Sequence, residues 1–461
     1  MASTTVGHPY ADKEWSEIVP EFLKQPQLRK ASIVQDRVNV RYVPQGGQQY
    51  TQAGPSMMNL IMSDSSRFLD PNSARLSGSF KIPAGANTNL QLCDGITSLF
   101  KRWRVLVNGN MVEDINFCNT KTAMEVYASM PLEHYQTQAS ALGLFNKFDT
   151  KFASLTADVP GIKSLAKNQV GARRANVAAS QHLIVNGTPV GVQFSLPLSY
   201  ISGFFRQSKA FPLLFAGQLQ LIIDFDASGG LKSGTSGDVV QWTIDDLSLE
   251  CDMLQMNPLY TEAFASLVRS PDGGYKLPYT THMVQQVSVQ QGSGTKAVAI
   301  PNSVSNIRQI SYVIQPTADL SDLSKDKTRF PINGYVDGYV QIGSKRLPEH
   351  PCTGVARALA LTLDADNELA NIGCSPILDI QNYCGVATNG ATANDPDAEA
   401  FIYSVSCDKV KDTYLPLDGL ESTSGLITVY VNNILPSNST MTVVVETTRF
   451  LSMENGMISI A

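Results

Sequence analysis

The residue types that most often perform catalysis or bind metals are few in this 461-residue chain, and they are not clustered in the sequence. Histidine, which exchanges protons near neutral pH and is a common metal ligand, occurs five times. None of these histidines lies four residues from another, and no HxH or HExxH motif occurs, so the spacing predicts no zinc site. We interpret them as isolated histidines of the surface or of turns: His8, His134, His182, His282 and His350.

Motifs for nucleophilic catalysis and phosphate binding are also missing from the sequence. No GxSxG sequence is present, so no serine is predicted on the sharp turn of a hydrolase. The segment Gly292–Lys296 has the composition of a phosphate-binding loop but not its spacing, and we interpret it as a hairpin loop. The acidic pairs Asp245/Asp246 and Asp364/Asp366 lack EF-hand spacing. The sequence therefore predicts no catalytic residues, no cofactor and no metal.

The charges exclude a strongly basic nucleic-acid-binding surface. The net charge is −6 and the pI is near 5.5, so the chain has no large positive field to hold phosphates. Cations flank Trp103 in the segment Lys101–Arg104, but on a strand Arg102 and Arg104 share one face while Trp103 points to the other. This pattern is typical of a half-buried strand, and we predict no sequence-specific nucleic-acid binding.

The cysteines and the N-terminal residues predict a protein of a reducing compartment. No CxxC pair occurs, and the number of cysteines is odd, which favours free thiols. The polar segment Met1–Tyr10 lacks a signal-peptide pattern, and no run of about 18 apolar residues occurs, so we expect neither secretion nor a membrane-spanning helix. The seven cysteines are Cys93, Cys118, Cys251, Cys352, Cys374, Cys384 and Cys407.

The overall composition indicates that much of the surface is hidden in contacts. Charged residues make up 16% of the chain, against about 25% in an ordinary soluble protein, while the apolar share is a typical 43%. The chain has enough apolar side chains for a large core but fewer ions than a free monomer usually exposes to water.

Short alternating or β-branched runs bounded by turn residues dominate the chain and predict strands. Helical periodicity is limited to Pro9–Lys24, Cys118–Met130, Ser321–Lys327 and Tyr135–Phe148. Because the strands do not alternate with helices, the pattern predicts an all-β sandwich or barrel. The predicted strands are Gln35–Tyr42, Arg75–Ile82, Arg102–Val107, Val192–Leu198, Gln218–Phe225, Gln241–Glu250, Ile307–Gln315, Gly338–Ile342, Gly425–Val431 and Met441–Phe450.

The two halves of the chain repeat one pattern. The strand–turn–strand sequence around Gly109 has its counterpart around Gly343, and the paired strands after Gly217 have theirs after Gly425. The first pair of glycines is 234 residues apart and the second 208, so the first half carries an insertion of about 26 residues. We assign it to the polar segment Gln136–Ser180.

These marks divide the chain into an arm, two sandwiches and a linker. Turn signals between residues 256 and 280 separate the halves. We predict an N-terminal arm over residues 1–34, a first sandwich over 35–257, a linker over 258–280 and a second sandwich over 281–461.

Apolar residues at helical spacing in the arm predict one stripe on a short amphipathic helix, which Pro20 kinks. Residues 1–50 carry six Lys or Arg and five Asp or Glu, so the arm is not a genome-condensing tail. The pattern leaves two alternatives open: the arm docks on a neighbouring subunit, or it covers its own domain. The arm stripe consists of Trp15, Ile18, Val19, Phe22 and Leu23.

From about residue 35 to 461 the chain resembles the double jelly-roll major capsid proteins of double-stranded DNA viruses, in the branch of polinton-like viruses and virophages. The resemblance lies in the pattern of strands and loops, and no catalytic signature is involved. The segments that carry it are Met58–Asp70 with Arg75–Ile82, Val105–Met130, Phe194–Leu198 with Phe211–Leu214, Gly419–Gly425 and Gly456–Ile460.

The resemblance implies two tandem eight-stranded antiparallel jelly rolls with short helices and long surface loops. It further implies a homotrimer whose six jelly rolls form a pseudo-hexameric capsomer of an icosahedral virion, made in the host cytoplasm or nucleus. The segments Gln136–Ser180 and Pro351–Ala400 would form exposed towers. The arm stripe would touch neighbouring capsomers, a minor capsid protein or an internal membrane, and penton proteins would be further partners. No enzymatic activity is implied.

Two alternatives remain at this point. A single-jelly-roll capsid protein with a projecting domain would also be rich in strands, but the repeated hairpins and the near-neutral arm speak against it. A tandem β-sandwich protein for carbohydrate binding or adhesion would show exposed aromatic platforms, whereas only three tryptophans are present.

Overall fold

The computed structural model describes most of the chain from residue 33 onward. The described residues are 33–54, 56–81, 91–93, 95–131, 134, 142–144, 184–185, 188–189, 192–227, 230–232, 240–269, 274–301, 304–366, 377–378, 380–384, 399–409, 419–422, 426–454 and 457–460. The predicted helix Pro9–Lys24 and nearly all of the predicted insertion Gln136–Ser180 lie outside them.

Strands form most of the described structure, as the periodicity predicts. The first half contains β1 (Val34–Tyr42), β2 (Tyr50–Thr51), β3 (Met57–Met62), β4 (Phe68–Lys81), β5 (Gln91–Leu92), β6 (Phe100–Val107), β7 (Asn110–Asn116), β8 (Ile184–Val185), β9 (Thr188–Pro189), β10 (Val192–Pro197), β11 (Leu219–Phe225), β12 (Leu231–Lys232) and β13 (Thr243–Met256). The second half contains β14 (Tyr275–Val289), β15 (Thr295–Ile300), β16 (Ile307–Pro316), β17 (Tyr335–Ile342), β18 (Lys345–Thr353), β19 (Tyr403–Ser406), β20 (Ile427–Asn433), β21 (Ser439–Glu454) and β22 (Met457–Ile460).

Helices are few and lie between the strands. They are α1 (Cys118–Ser129), α2 (Leu213–Ala216), α3 (Pro258–Arg269), α4 (Thr317–Ser321), α5 (Val355–Ala365) and α6 (Ile380–Cys384), with 3₁₀ turns at Ile96–Leu99 and Leu198–Tyr200. Within the described part of the chain, no helix has the length and apolar character needed to cross a membrane.

Each half is an eight-stranded antiparallel jelly roll, and the two halves share one strand order. In the first roll the sheets have the orders β1-β13-β4-β10 and β3-β11-β6-β7. In the second roll the orders are β14-β21-β16-β19 and β15-β20-β17-β18. Strand by strand, these orders are the same, so the predicted repeat is confirmed at the level of topology. The short strands β2 and β22 add to the edges of this framework.

The hairpin β6–β7 shows how the sequence produces this framework. Asn108 and Gly109 adopt φ values of 47° and 83°, and this left-handed pair makes the tight turn that an Asn-Gly sequence favours. Along β6 the side chain of Trp103 is buried, whereas Arg102 and Arg104 face outward and are ion-paired. The predicted alternation of faces is therefore confirmed. The alternating apolar side chains form one continuous core cluster that extends through both rolls.

Three segments differ from their predicted form. The range 258–280, predicted as a linker, contains α3 and the first six residues of β14. A helix was predicted at Ser321–Lys327, but the short helix α4 ends at Ser321 and a turn follows it. The segment Pro351–Ala400, predicted as an exposed loop, begins with the end of β18 and contains α5, whose Ala358 and Thr362 are buried. The helix at Cys118–Met130 is confirmed as α1.

Helix α3 carries the chain from the first roll to the second and packs on an aromatic cluster. Asn257 begins it, because its side-chain oxygen accepts a hydrogen bond from the backbone N–H of Leu259 at 3.0 Å. The Phe264 ring stacks on Phe215, with centroids 5.5 Å apart, and meets Tyr275 of β14 at 5.3 Å. Phe264 therefore joins side chains of both rolls.

Replacing Phe264 with alanine should destabilise the protein by roughly 3–5 kcal/mol, because a buried ring is removed and its neighbours cannot close the gap completely. Chemical denaturation of the purified protein measures this change. The control is Glu262→Ala, an exposed position on the same helix, for which we expect less than about 0.5 kcal/mol. Equal effects of the two substitutions would show that the aromatic cluster does not stabilise the connection.

Candidate functional site

The candidate site is the junction between the two rolls. We define the junction as the contact of α1, β7 and residues 198–206 of the first roll with β14 and β21 of the second. It contains the charged side chains that are most deeply buried in the described structure, together with a cavity of about 230 Å³. Buried charged side chains therefore lie at the place where the orientation of the two rolls is determined.

Helix α1 is buried on nearly all sides, which the sequence reflects by placing apolar and small residues around the whole helix. Lys121, in its second turn, has no exposed surface. Its ammonium donates to the carbonyl oxygen of Ile201 and to Oε2 of Glu125, each at 2.7 Å. A buried ammonium is stable only when it is paired and hydrogen-bonded, and both conditions are met here.

His282 joins the second roll to this pair. Its Nε2 lies 2.6 Å from Oε1 of Glu125 and 3.8 Å from Oε2 of Glu446 on β21. The guanidinium of Arg206 lies 3.6 Å from Oε2 of Glu125. Glu125 therefore lies among three cations, two from the first roll and one from the second.

The pKa values of this cluster follow from burial and pairing. Burial and the nearby Lys121 disfavour charge on His282, but Glu125 and Glu446 outweigh them and raise its pKa above the ordinary 6.5. Burial also disfavours charge on Glu125, yet Lys121 and His282 together hold its pKa below the ordinary 4.5. Burial disfavours charge on Glu446 as well, but the nearby His282 outweighs it and lowers the pKa of Glu446. Pairing therefore favours the ionised forms of His282, Glu125 and Glu446.

A second buried carboxyl group, that of Glu113 on β7, holds the segment 198–206 in place. It accepts hydrogen bonds from the backbone N–H of Phe204 at 3.0 Å, from the Trp103 indole at 3.3 Å and from the Ser202 hydroxyl. Burial raises the pKa of Glu113, although the hydrogen bonds from Ser202 and Phe204 oppose that shift. The segment is thereby fixed to β7 of its own roll.

The backbones of the two rolls lie close together at Gly203. A Cβ atom at this position would lie 1.9 Å from the backbone carbonyl oxygen of Thr280 on β14. Nearby, the Tyr279 hydroxyl donates to the Val112 carbonyl oxygen at 2.9 Å. Only glycine allows this backbone contact without a shift of one roll.

The far end of α1 makes further contacts with the second roll. The backbone N–H of Leu378 donates to the Tyr127 carbonyl oxygen, and that of Ile377 donates to the Met130 carbonyl oxygen, both at 3.2 Å. The Tyr127 ring also lies 6.0 Å from Phe330. Contacts along the whole length of α1 therefore join the rolls.

The charged groups around the cavity serve to hold the rolls together. Besides the cluster on Glu125, Arg308 pairs with Asp408 at 3.2 Å on the side of the second roll. Among the described residues, no group of three or more His, Cys, Asp or Glu side chains could hold a metal ion. The arrangement can fix the orientation of the two rolls through paired charge.

The described histidines lie in different environments. His282 was interpreted as an isolated surface or turn histidine, which is wrong: it is 3% exposed and ion-paired. His350 is exposed, and His134 shares a hydrogen bond of 2.9 Å with Tyr200. The segment Gly292–Lys296 is a loop, as expected, but it joins strands of different sheets and is not a hairpin.

The remaining predicted sites fall into two groups. Asp245 is ion-paired with Lys81 at 2.7 Å, and the described cysteines form no disulfide. The arm stripe of Trp15, Ile18, Val19, Phe22 and Leu23 lies outside the described residues, as do His8, His182 and Cys374. The inter-subunit contact of the arm stays a prediction.

We expect the Gly203→Ala substitution to lower the melting temperature and to increase proteolytic cleavage between the rolls, because the Thr280 carbonyl must move. Gly274→Ala is the matched control, since its added Cβ would meet the Glu454 side chain, which is 48% exposed and can turn away. Thermal unfolding and limited proteolysis measure both variants. The same profile for both would contradict the close approach at Gly203.

The His282→Ala substitution should destabilise the protein by roughly 3–5 kcal/mol near neutral pH, because it leaves Glu446 without its ion-pair partner and removes one of the three cations around Glu125. The pKa of His282 is raised, so its contribution is fully present below its unfolded pKa of 6.5 and is lost as the pH rises through the folded pKa. The pKa of Glu125 is lowered, so its contribution is present above 4.5 and is lost as the pH falls.

Denaturation at about pH 6 and about pH 9 therefore should give a larger difference between wild type and His282→Ala at the lower pH. His350→Ala, at an exposed histidine, is the control and should show no such difference. An equal effect of His282→Ala at both pH values would rule out the ionised junction.

Comparison with known proteins supports one fold. No family model and no curated protein sequence matches the chain. A chain of the Sputnik virophage structure shares 12% identity, with a TM-score of 0.57 over 100% of this chain and 93% of that chain. The mavirus major capsid protein shares 12%, with a TM-score of 0.53 over 100% and 96%. The Faustovirus major capsid protein shares 9%, with a TM-score of 0.54 over 94% and 93%.

The aligned regions cover nearly the full length of this chain and of each viral chain. Each structural similarity therefore includes both rolls. The strand orders given above lead to the same conclusion independently. The chain has the double jelly-roll fold found in these viral major capsid proteins.

Proposed function

We propose that this protein is a viral major capsid protein that forms homotrimers, and that these tile an icosahedral shell. The observation that carries the proposal is the repetition of one eight-stranded order in two rolls joined by a buried, ion-paired junction. Three copies of such a chain supply six similar rolls around a threefold axis, which gives a nearly hexagonal outline. Hexagonal units can tile a surface without gaps.

The junction supports this role because a capsomer requires a fixed angle between its rolls. Inter-domain contacts inside a chain often permit relative motion. Here the backbone contact at Gly203 and the cluster of Lys121, Glu125 and His282 oppose such motion. The two rolls therefore act as one block.

Exposed apolar side chains provide surface for contacts between copies. Ile434 is 60% exposed and Leu426 57%, at opposite ends of the stretch that contains β20, and Met57 on the edge strand β3 is 49% exposed. Such side chains, together with the low share of charged residues, suit a surface covered by neighbouring subunits. We expect Ile434, Leu426 and Met57 to lie in contacts between subunits.

The proposal includes the location and partners that the sequence resemblance implies. The protein would reside in the virion shell and would be made in the host cytoplasm or nucleus. Penton and minor capsid proteins would contact its capsomers, and the resemblance leaves open whether an internal membrane lies beneath them. A structural role requires neither a cofactor nor a catalytic site.

The two alternatives are less well supported. A single jelly roll with a different projecting domain does not fit, because both halves have the same strand order. A sugar-binding platform would need an open aromatic face. Tyr339 and Tyr430 do lie on the outer face of one sheet, but their rings stack on each other at 4.6 Å, and Arg346 covers Tyr339 at 4.5 Å. Because these ring faces already make contacts, they do not offer a sugar an open surface for stacking.

Light scattering of the purified protein should give a mass three times the 50.0 kDa of the chain, and negative-stain images should show hexagonal particles. Trimers are expected because six rolls are needed for the proposed outline. Gly274→Ala should form them equally well, whereas Gly203→Ala should yield fewer because the angle between the rolls changes. A stable monomer at micromolar concentration that binds glycans broadly on an array would refute the capsid role.

A further inference from the structure

Helix α3 is apolar on two faces, although it lies on the surface. Its inner face packs through Phe264 and Val268. Its outer face carries a second row of small and apolar side chains at helical spacing, in which Leu259 is 75% exposed and Leu267 45%. We call this row the α3 outer stripe: Leu259, Ala263, Ser266 and Leu267.

A surface helix ordinarily turns charged side chains to water, and the α3 outer stripe does not. Exposed apolar rows of this kind usually mark a contact. Ile33 and Val34, at the beginning of β1, are 38% and 37% exposed and extend the apolar surface at the N-terminal end of the helix. The apolar patch therefore lies at the start of β1, beside the N-terminal end of α3.

The position of β1 brings the preceding residues to α3. The backbone N–H of Asn257, the residue before α3, donates to the Ile33 carbonyl oxygen at 2.8 Å. Strand β1 is antiparallel to β13, with Val34 opposite Met256. The chain before Ile33 consequently leaves the sheet in the same direction in which β13 continues into α3.

We infer that the arm stripe of Trp15, Ile18, Val19, Phe22 and Leu23 docks on the α3 outer stripe of its own chain. Two apolar rows that would each be exposed to water are thereby buried against each other. This inference narrows the two alternatives that the sequence leaves open to the second, in which the arm covers its own chain.

The reach of the chain allows this contact. Nine residues lie between Leu23 and Ile33, and the ten steps from Cα to Cα can span up to about 33–36 Å when extended. Helix α3 has 12 residues and is therefore about 18 Å long. The arm stripe can lie along the whole helix even if part of the connection is compact.

Tethering favours the same chain over a neighbouring one. A short connection gives the arm an effective concentration in the millimolar range at its own α3. Separate molecules at micromolar concentration cannot match this, and within a trimer each arm still starts at Ile33, which is hydrogen-bonded to Asn257 beside the α3 of its own chain.

Tryptophan fluorescence tests the inference directly, because Trp15 is one of only three tryptophans and the other two, Trp103 and Trp242, are buried. Subtracting the spectrum of Trp15→Phe isolates the Trp15 signal. In the wild type this signal should be blue-shifted and poorly quenched by acrylamide. In the double variant Leu259→Lys/Leu267→Lys it should shift to the red, with a several-fold larger quenching constant.

The control variant is Glu262→Lys, which places the same charge at an exposed position that already carries a charged side chain and lies beside the α3 outer stripe, not in it. It should leave the Trp15 signal unchanged. Far-UV circular dichroism and melting temperature verify that each variant is folded, as expected for substitutions at exposed positions. A Trp15 signal that is the same in wild type and in Leu259→Lys/Leu267→Lys would overturn the inference.

Crosslinking distinguishes the same chain from a neighbour. The full-length variant Ile18→Cys/Ala263→Cys, treated with a short bis-maleimide, should give a crosslinked band that migrates as a single chain on a denaturing gel. Each single-cysteine variant is a control for reaction with native thiols. A product of two chains that appears only in the double variant would overturn docking on the same chain.

The inference is independent of the capsid proposal. The fluorescence and the crosslink report on the arm whether or not trimers form, whereas light scattering reports on trimers whether or not the arm is docked. Failure of one is therefore distinguishable from failure of the other.

Discussion

The relation between the two rolls depends on charge buried between them. Lys121 has no exposed surface, and its burial is compensated only if Glu125 and the Ile201 carbonyl oxygen are in place. Glu125 is in turn bound by His282 of the second roll. A rotation of one roll relative to the other would separate buried ions, which is far more costly than sliding two apolar surfaces past each other. Paired charge thus provides orientation, while the apolar cores provide most of the stability.

The repeated topology shows how one framework acquires two roles. Helices α1 and α5 follow equivalent strands, β7 and β18, in the two rolls. Helix α1 is enclosed by both rolls, whereas α5 packs beside β19 and keeps a more exposed side. The outer sheet faces have also diverged. The first roll has ion pairs such as Arg104 with Asp224, and the second has the stacked rings of Tyr339 and Tyr430. A tandem chain can thus vary each copy independently, unlike an assembly of six identical chains.

The sequence predicts the framework well because strands, turns and repeats are local patterns. Alternation in β6 and the Asn108-Gly109 turn are each contained within a few residues. The junction, in contrast, joins residues that are far apart in the sequence. His282 lies 157 positions from Glu125, so no local pattern predicts that they pair. One signal was available in α1, where Lys121 and Glu125 form an i,i+4 pair on a helix with no other charge, which is unusual for a solvated face. Helix α3 was missed because turn residues on both sides of it obscured its period.

The order of strands in each sheet has a consequence for the synthesis of the chain. The first strand of each roll pairs with the last: β1 with β13, and β14 with β21. Neither roll can close until its final strand has left the ribosome. The first roll is complete at Met256 and can fold while the second is still being translated. Glu446, the junction residue on β21, emerges much later. The angle between the rolls is therefore set only after β21 has been made, on a first roll that is already closed and can act as a template.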